Sequence, residues 1–198
     1  RPYLPLAERL GRMFAQLNDG TPDVLEIEYQ GGLADYDTRI LTLSILKGVF
    51  AFGSDEPVSY VNAPQLATDR GLEVRETKTS ATHDYVNLVT IRGGNHAIAG
   101  TLSGLRSEPR VVMLDDHPIE MPPAGHLLLV RNDDRIGMIA LVTTALAEAE
   151  VNIADMDVGR TGTTALMVLA TDQPVPAETV ALLRGTEGIL DVHLVSQA

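Results

Sequence analysis

The sequence predicts an α+β protein of two successive mixed domains, and three observations carry that expectation. Segments with apolar residues at helical spacing alternate with short runs at strand spacing along the whole chain. The stretch Met121-Pro122-Pro123-Ala124-Gly125 disfavours both helix and strand and marks a boundary near residue 123. Beyond it the pattern reads strand, helix, strand, strand, helix, strand, an order that folds as a four-stranded antiparallel sheet with two helices on one face. The expected domains are 1–123 and 124–198.

Residues 4–17 carry apolar side chains at 4, 6, 10, 13, 14 and 17, close to a 3.6-residue period, and Asn18-Asp19-Gly20 ends this helix. Alternation over residues 24–29 marks a half-exposed strand stopped by Gly31-Gly32, after which Asp37 or Thr38 can cap a nearly apolar helix over 39–50. Asn62 as cap, Pro64 in the first turn and Gly71 as stop bound a short helix over 63–70. Strands follow at 73–79, 85–92 and 96–102, the last two joined across Gly93-Gly94-Asn95. Residues 110–114 and 117–120 add a hairpin around Asp115-Asp116, so an antiparallel sheet closes the first domain.

In the second half the strands are expected at 126–131, 151–159, 163–171 and 188–195, with helices over 136–149 and 176–184. The stretch between the first strand and helix is polar. Asn132, Asp133 and Asp134 supply side-chain acceptors beside the helix start, Gly137 allows close backbone approach, and Asp134 is placed to cap the helix. Asn152, between Val151 and Ile153, is a polar residue that needs a partner at a strand entry.

Composition narrows the function classes. The chain of 198 residues has no cysteine, which excludes disulfides, thiolate metal sites, iron–sulfur clusters and a thiol nucleophile within it. Its five histidines, at 83, 96, 117, 126 and 193, include no pair at the i, i+4 spacing of a helical metal site, so no metal is expected. The formal charge of −12 argues against nucleic acid or an anionic membrane as partner. With no long apolar run and no basic-then-apolar leader, a cytoplasmic protein is expected; the start at Arg1 suggests a segment of a longer polypeptide.

The run Asn132-Asp133-Asp134-Arg135-Ile136-Gly137 with Val151-Asn152-Ile153 resembles the ACT domain, a ferredoxin-like βαββαβ module that binds amino acids. In that family the loop reads polar-x-Asp/Asn-Arg-Pro-Gly and the second strand opens Val-Asn-Ile, so only Ile136 departs, standing where proline is usual. The resemblance implies a ligand held between two ACT domains, with the loop from one subunit and the asparagine from the other. Asp134 would face an ammonium, Asn132 and Asn152 would hydrogen-bond carboxylate, amine or hydroxyl, and the amides of Ile136, Gly137 and Met138 would face an anion at the helix start. The bland alternative is that Asp134 caps the helix and Asn152 satisfies a strand end.

The run RILTLSILKGVF at 39–50, Tyr60-Val61-Asn62-Ala63-Pro64 with Arg70-Gly71-Leu72, and Gly100-Thr101-Leu102-Ser103-Gly104 resemble the intervening, or allosteric-substrate-binding, domain of long-type D-3-phosphoglycerate dehydrogenases. That resemblance implies a regulatory part of a homo-oligomeric, NAD-dependent enzyme of L-serine biosynthesis, inhibited by L-serine. No glycine fingerprint for a dinucleotide occurs in this chain, so neither catalytic residues nor a cofactor are expected within it. By the same resemblance Arg110 and His117, with Lys78 and His83 as weaker additions, are candidates for binding phosphate or 3-phosphoglycerate; solvated surface charges are the alternative. Two other functions compete: the regulatory portion of an L-serine dehydratase, and a free-standing amino-acid sensor.

Overall fold

In the computed structural model, which describes residues 2–18, 20–54 and 56–196, the periodic segment at the start of the chain is helix α1 (Tyr3–Leu17). Arg1 and Asp19, named above, lie outside the described residues. The apolar stripe of α1, Leu6, Leu10, Met13, Phe14 and Leu17, is buried, and Asn18 closes the helix by donating from Nδ2 to the Phe14 carbonyl at 3.1 Å. Helix α2 (Arg39–Ala51) lies in backbone contact with α1. A Cβ on Gly11 would overlap the Ile45 carbonyl oxygen, and one on Gly48 the Glu8 carbonyl oxygen. Of the two expected caps of α2, Asp37 accepts the Arg39 amide at 3.1 Å, whereas Thr38 donates its hydroxyl to Glu76 Oε2 at 3.0 Å.

Strands β1 (Val24–Gly31), β2 (Glu73–Thr79), β3 (Asn87–Gly93), β4 (His96–Ser103) and β5 (Glu108–Leu114) lie in the order β2-β1-β3-β4-β5. The alternation in β1 is real, with Leu25, Ile27 and Tyr29 buried. The arrangement is nevertheless mixed rather than antiparallel. β2 pairs with β1 in parallel, while β3, β4 and β5 join antiparallel. A parallel pair needs a long crossover, and α2 with the short helix α3 (Ala63–Asp69) supplies it. Asn62 does not cap α3: its Oδ1 accepts the Ser59 amide at 2.7 Å and its Nδ2 donates to the Pro57 carbonyl at 3.1 Å, ordering the approach loop instead.

Contacts divide the chain into one unit up to Asp116 and another from His117, ahead of the boundary expected near 123. In the second unit, β7 (His126–Asp133), β8 (Ile153–Thr161), β9 (Thr164–Thr171) and β10 (Ile189–Ser196) form an antiparallel sheet in the order β10-β7-β9-β8. Helices α4 (Met138–Glu148) and α5 (Ala177–Arg184) cover one face. There Val142, Leu146, Val180 and Leu183 join Leu128, Val130, Met167, Leu169 and Val192 in a single core. This is the βαββαβ arrangement expected from the alternation of periods.

Strand β6 (His117–Met121) lies on the other face, where a Cβ on Gly159 would overlap the Pro118 carbonyl oxygen. Helix α4 starts at Met138, not at residue 136, because Gly137 takes a left-handed φ of +94° and holds the backbone out of the helix. Among the described residues no helix is long and apolar enough to cross a membrane.

Candidate functional site

The polar loop leaving β7 is fixed from both sides by its own backbone. Asp133 donates its amide to the Gly188 carbonyl at 2.9 Å, and Asp134 donates its amide to the Thr163 carbonyl at 2.9 Å. The loop is thus tied to the α5–β10 turn on one flank and to the β8–β9 turn on the other. Side chains repeat the pattern with opposite charges. Arg160 Nε donates to Asp134 Oδ1 at 3.2 Å, and Arg135 Nη1 pairs with Glu187 Oε1 at 3.3 Å.

The expected helix cap is therefore absent. Asp134 is engaged by Arg160, and α4 has no side-chain cap. The opening amides of a helix have no intrahelical acceptor, and the positive end of the helix dipole adds to them, so this end is suited to an anion. Nothing lies within 4 Å of where a Cβ on Gly137 would be. Ile136 is wholly exposed, whereas Met138 is buried and anchors the helix to the core.

Asn132 is 98% buried in the wall of this loop, with a relative exposure of 2%. Its Nδ2 donates to the Asp133 carbonyl at 2.6 Å, while its Oδ1 is buried with no hydrogen-bond partner. Buried polar atoms in folded proteins are almost always paired, so an orphaned acceptor requires an explanation. A donor supplied by a ligand is one.

Asn152 is placed elsewhere. Ile153 pairs with Thr171 and Leu127 with Ala170, so Asn152 belongs to the end of the sheet where β7 begins; Asn132 pairs with Ala165 at the end where β7 finishes. At ~3.4 Å per residue the two asparagines are separated by roughly 24 Å along the strands. Asn152 is exposed, and its Nδ2 donates to Asp172 Oδ2 at 2.6 Å. With that donor engaged, the side-chain oxygen remains as its acceptor.

Within the first unit, Lys78 and Arg110 are not neighbours. Lys78 on β2 is level with Tyr29, which pairs with Val89, which pairs with Gly100 beside the Thr101–Arg110 pair. Four strand spacings of ~4.8 Å hold Lys78 and Arg110 roughly 19 Å apart. Lys78 donates to the Tyr36 carbonyl at 2.7 Å, and Arg110 pairs with Glu108 at 3.1 Å. His83 is exposed in the loop after β2, and His117 is buried in the second unit with Nε2 3.2 Å from Thr164 Oγ1. Strand order separates Lys78 from Arg110, which sequence alone could not place.

Three residues at the loop escaped the sequence reading. Arg160 gives no local signal, since its partner is distant in sequence. Glu187 and Gly188 precede the last strand as an ordinary turn, and only the observed contact with Arg135 reveals their part.

Residues 1–115 match the family of the D-3-phosphoglycerate dehydrogenase intervening domain, and residues 126–188 match the ACT domain family. The chain is similar to a D-3-phosphoglycerate dehydrogenase of Synechocystis, 35% identical over 98% of this chain and 36% of the relative. A namesake from Mycobacterium leprae is 34% identical over 89% of this chain and 35% of the relative. One from Bacillus subtilis is 28% identical over 98% of this chain and 38% of the relative. The chain thus spans little more than a third of the length of the curated relatives it matches.

Proposed function

Because the chain belongs to the family of the D-3-phosphoglycerate dehydrogenase intervening domain and carries an ACT domain behind it, we propose that it is a non-catalytic regulatory region of such an enzyme. In this reading the parent is a cytoplasmic, NAD-dependent, homo-oligomeric dehydrogenase of L-serine biosynthesis. L-serine, or another small amino acid, binds between two ACT domains and inhibits it.

The observation that carries the reading is the separation of Asn132 and Asn152 at opposite ends of one sheet. A ligand as small as serine cannot bridge them within one chain. Strand β8 is an edge of the sheet and runs from Asn152 towards Arg160. Antiparallel pairing of β8 with its copy sets the start of one strand beside the end of the other. Asn152 of the second chain then arrives next to the Asp134–Arg160 pair and the 132–138 loop. The ammonium goes to Asp134 and to the Asn152 oxygen, the carboxylate to the amides of Ile136, Gly137 and Met138 at the start of α4, and a hydroxyl or amine proton to Asn132 Oδ1.

Energetic bounds agree with a metabolite sensor. The seven heavy atoms of serine, at a ceiling of ~1.5 kcal/mol each, limit binding to about −10 kcal/mol. Inhibition requires only that one subunit arrangement bind serine better by ~1–3 kcal/mol. In the intervening domain, phosphate or 3-phosphoglycerate binds through Arg110, with Lys78 and His83 acting apart from it.

Subunit mixing tests the proposal. Asn152→Ala and Asp134→Ala chains, each alone, should lose L-serine binding in calorimetry. Mixed in equal amounts they should recover about a quarter of the sites, because a two-fold heterodimer holds one intact site and one doubly broken one. Wild-type affinity in either variant, or no recovery on mixing, overturns the shared site.

A further inference from the structure

Arg135 precedes the segment whose amides would meet the ligand, yet its side chain points the other way. Nη2 donates to the Glu187 carbonyl at 2.9 Å and Nη1 pairs with the Glu187 carboxylate at 3.3 Å. The guanidinium lies so close over Gly188 that any Cβ there would overlap it. Gly188 also has a left-handed φ of +89°, so the backbone conformation favours glycine and a Cβ there would displace the guanidinium from its seat.

Backbone bonds hold the loop up to Arg135, but the side chains after it hold little. Between Asp134 and Met138, Ile136 is wholly exposed, and Gly137 has no side chain. The Glu187 side chain is 92% exposed, so its carboxylate adds little to the pair. The carbonyl bond, with the close approach of the guanidinium to Gly188, is the stronger hold. A guanidinium is suited to this because its planar fork donates in fixed directions.

We propose that Arg135 is a positioning residue: seated on Gly188 and tied to the Glu187 carbonyl, it sets the direction of the 136–138 amides and does not touch the ligand. The proposal rests on the amino-acid site described above for its effect on binding, while its effect on loop order stands without any ligand. It also gives the arginine of the loop motif a task distinct from that of Asp134, which faces the opposite flank.

The experiment uses Arg135→Ala, Gly188→Ala and the double variant in the whole chain. Backbone order parameters of the 136–138 amides by NMR without ligand and calorimetry with L-serine are the readouts, with hydrogen exchange in β7 and β10 as a control for global unfolding. Either single variant should lower the order parameters at 136–138 and weaken L-serine about tenfold, the order of loss that follows removal of outer-shell partners at metal sites. The double variant should lose less than the two single losses combined, because both changes undo the same contact.

If Gly188→Ala keeps wild-type affinity while Arg135→Ala loses it, Arg135 acts on the ligand and the proposal is wrong. Unchanged order parameters at 136–138 in Arg135→Ala also overturn it. If the wild-type chain binds no amino acid, the functional reading fails by itself, and the order parameters still decide whether Arg135 orders the loop.

Discussion

The side-chain amide of Asn132 donates to the Asp133 carbonyl at 2.6 Å, and this single bond leaves its Oδ1 buried without a donor. A buried acceptor without a partner costs about 1–3 kcal/mol, more than a typical net hydrogen bond returns. The site is therefore held at the expense of stability, as ligand sites often are. Asn132→Leu fills a similar volume without the orphaned oxygen. Its unfolding free energy in a urea titration should equal or exceed that of the wild type, while L-serine affinity falls. A marked loss of stability would mean that Oδ1 already has a partner in the free chain.

The loop was legible in the sequence because its residue types are rare together. Asn132, Asp133, Asp134 and Gly137 between an apolar run and a helical period could only be a polar turn beside a helix start. What the side chains do there was not legible. Asp134 has the right spacing for a cap, but the β8–β9 hairpin delivers Arg160, and an ion pair replaces the cap. The parallel β1–β2 pair was hidden for a related reason: alternation marks a strand but does not say which neighbour it takes. The separation of Lys78 from Arg110 follows from that same strand order. Local chemistry is written in the chain locally, whereas convergence of distant residues is settled by packing.

The crossing of α1 and α2 gives a prediction independent of any ligand. Gly11 and Gly48 each face a carbonyl oxygen of the opposite helix where a Cβ would be. Alanine is normally the better helix former by up to ~1 kcal/mol, so at an ordinary helical glycine the change would stabilise. Here the helices must separate, and overpacking of a rigid contact costs about 1–3 kcal/mol. Gly11→Ala and Gly48→Ala should both lower the urea midpoint, and the pair together should lose less than the sum, since one displacement relieves both clashes. A raised midpoint in either variant would contradict the backbone contact.

Alkaline stability should depend on Tyr29. Its ring is buried in the first unit and its hydroxyl lies 2.7 Å from Thr42 Oγ1, which in turn donates to Glu76 Oε1 at 2.7 Å. Burial pushes the phenol well above its ordinary value of 10.0; the Thr42 hydrogen bond opposes this, and the Glu76 charge reinforces it. The neutral phenol is thus favoured in the folded state. Below pH ~10 the tyrosine is neutral in both states and its contribution is fully present. Above that value the unfolded chain releases the proton first, and stability falls at about 1.4 kcal/mol per pH unit from this group alone. Tyr29→Phe removes the titrating group along with its bond to Thr42. The variant should be less stable at neutral pH and should show a shallower loss between pH 10 and 12. Parallel profiles for the two proteins over that range would mean that Tyr29 ionises in the folded chain as readily as in the unfolded one.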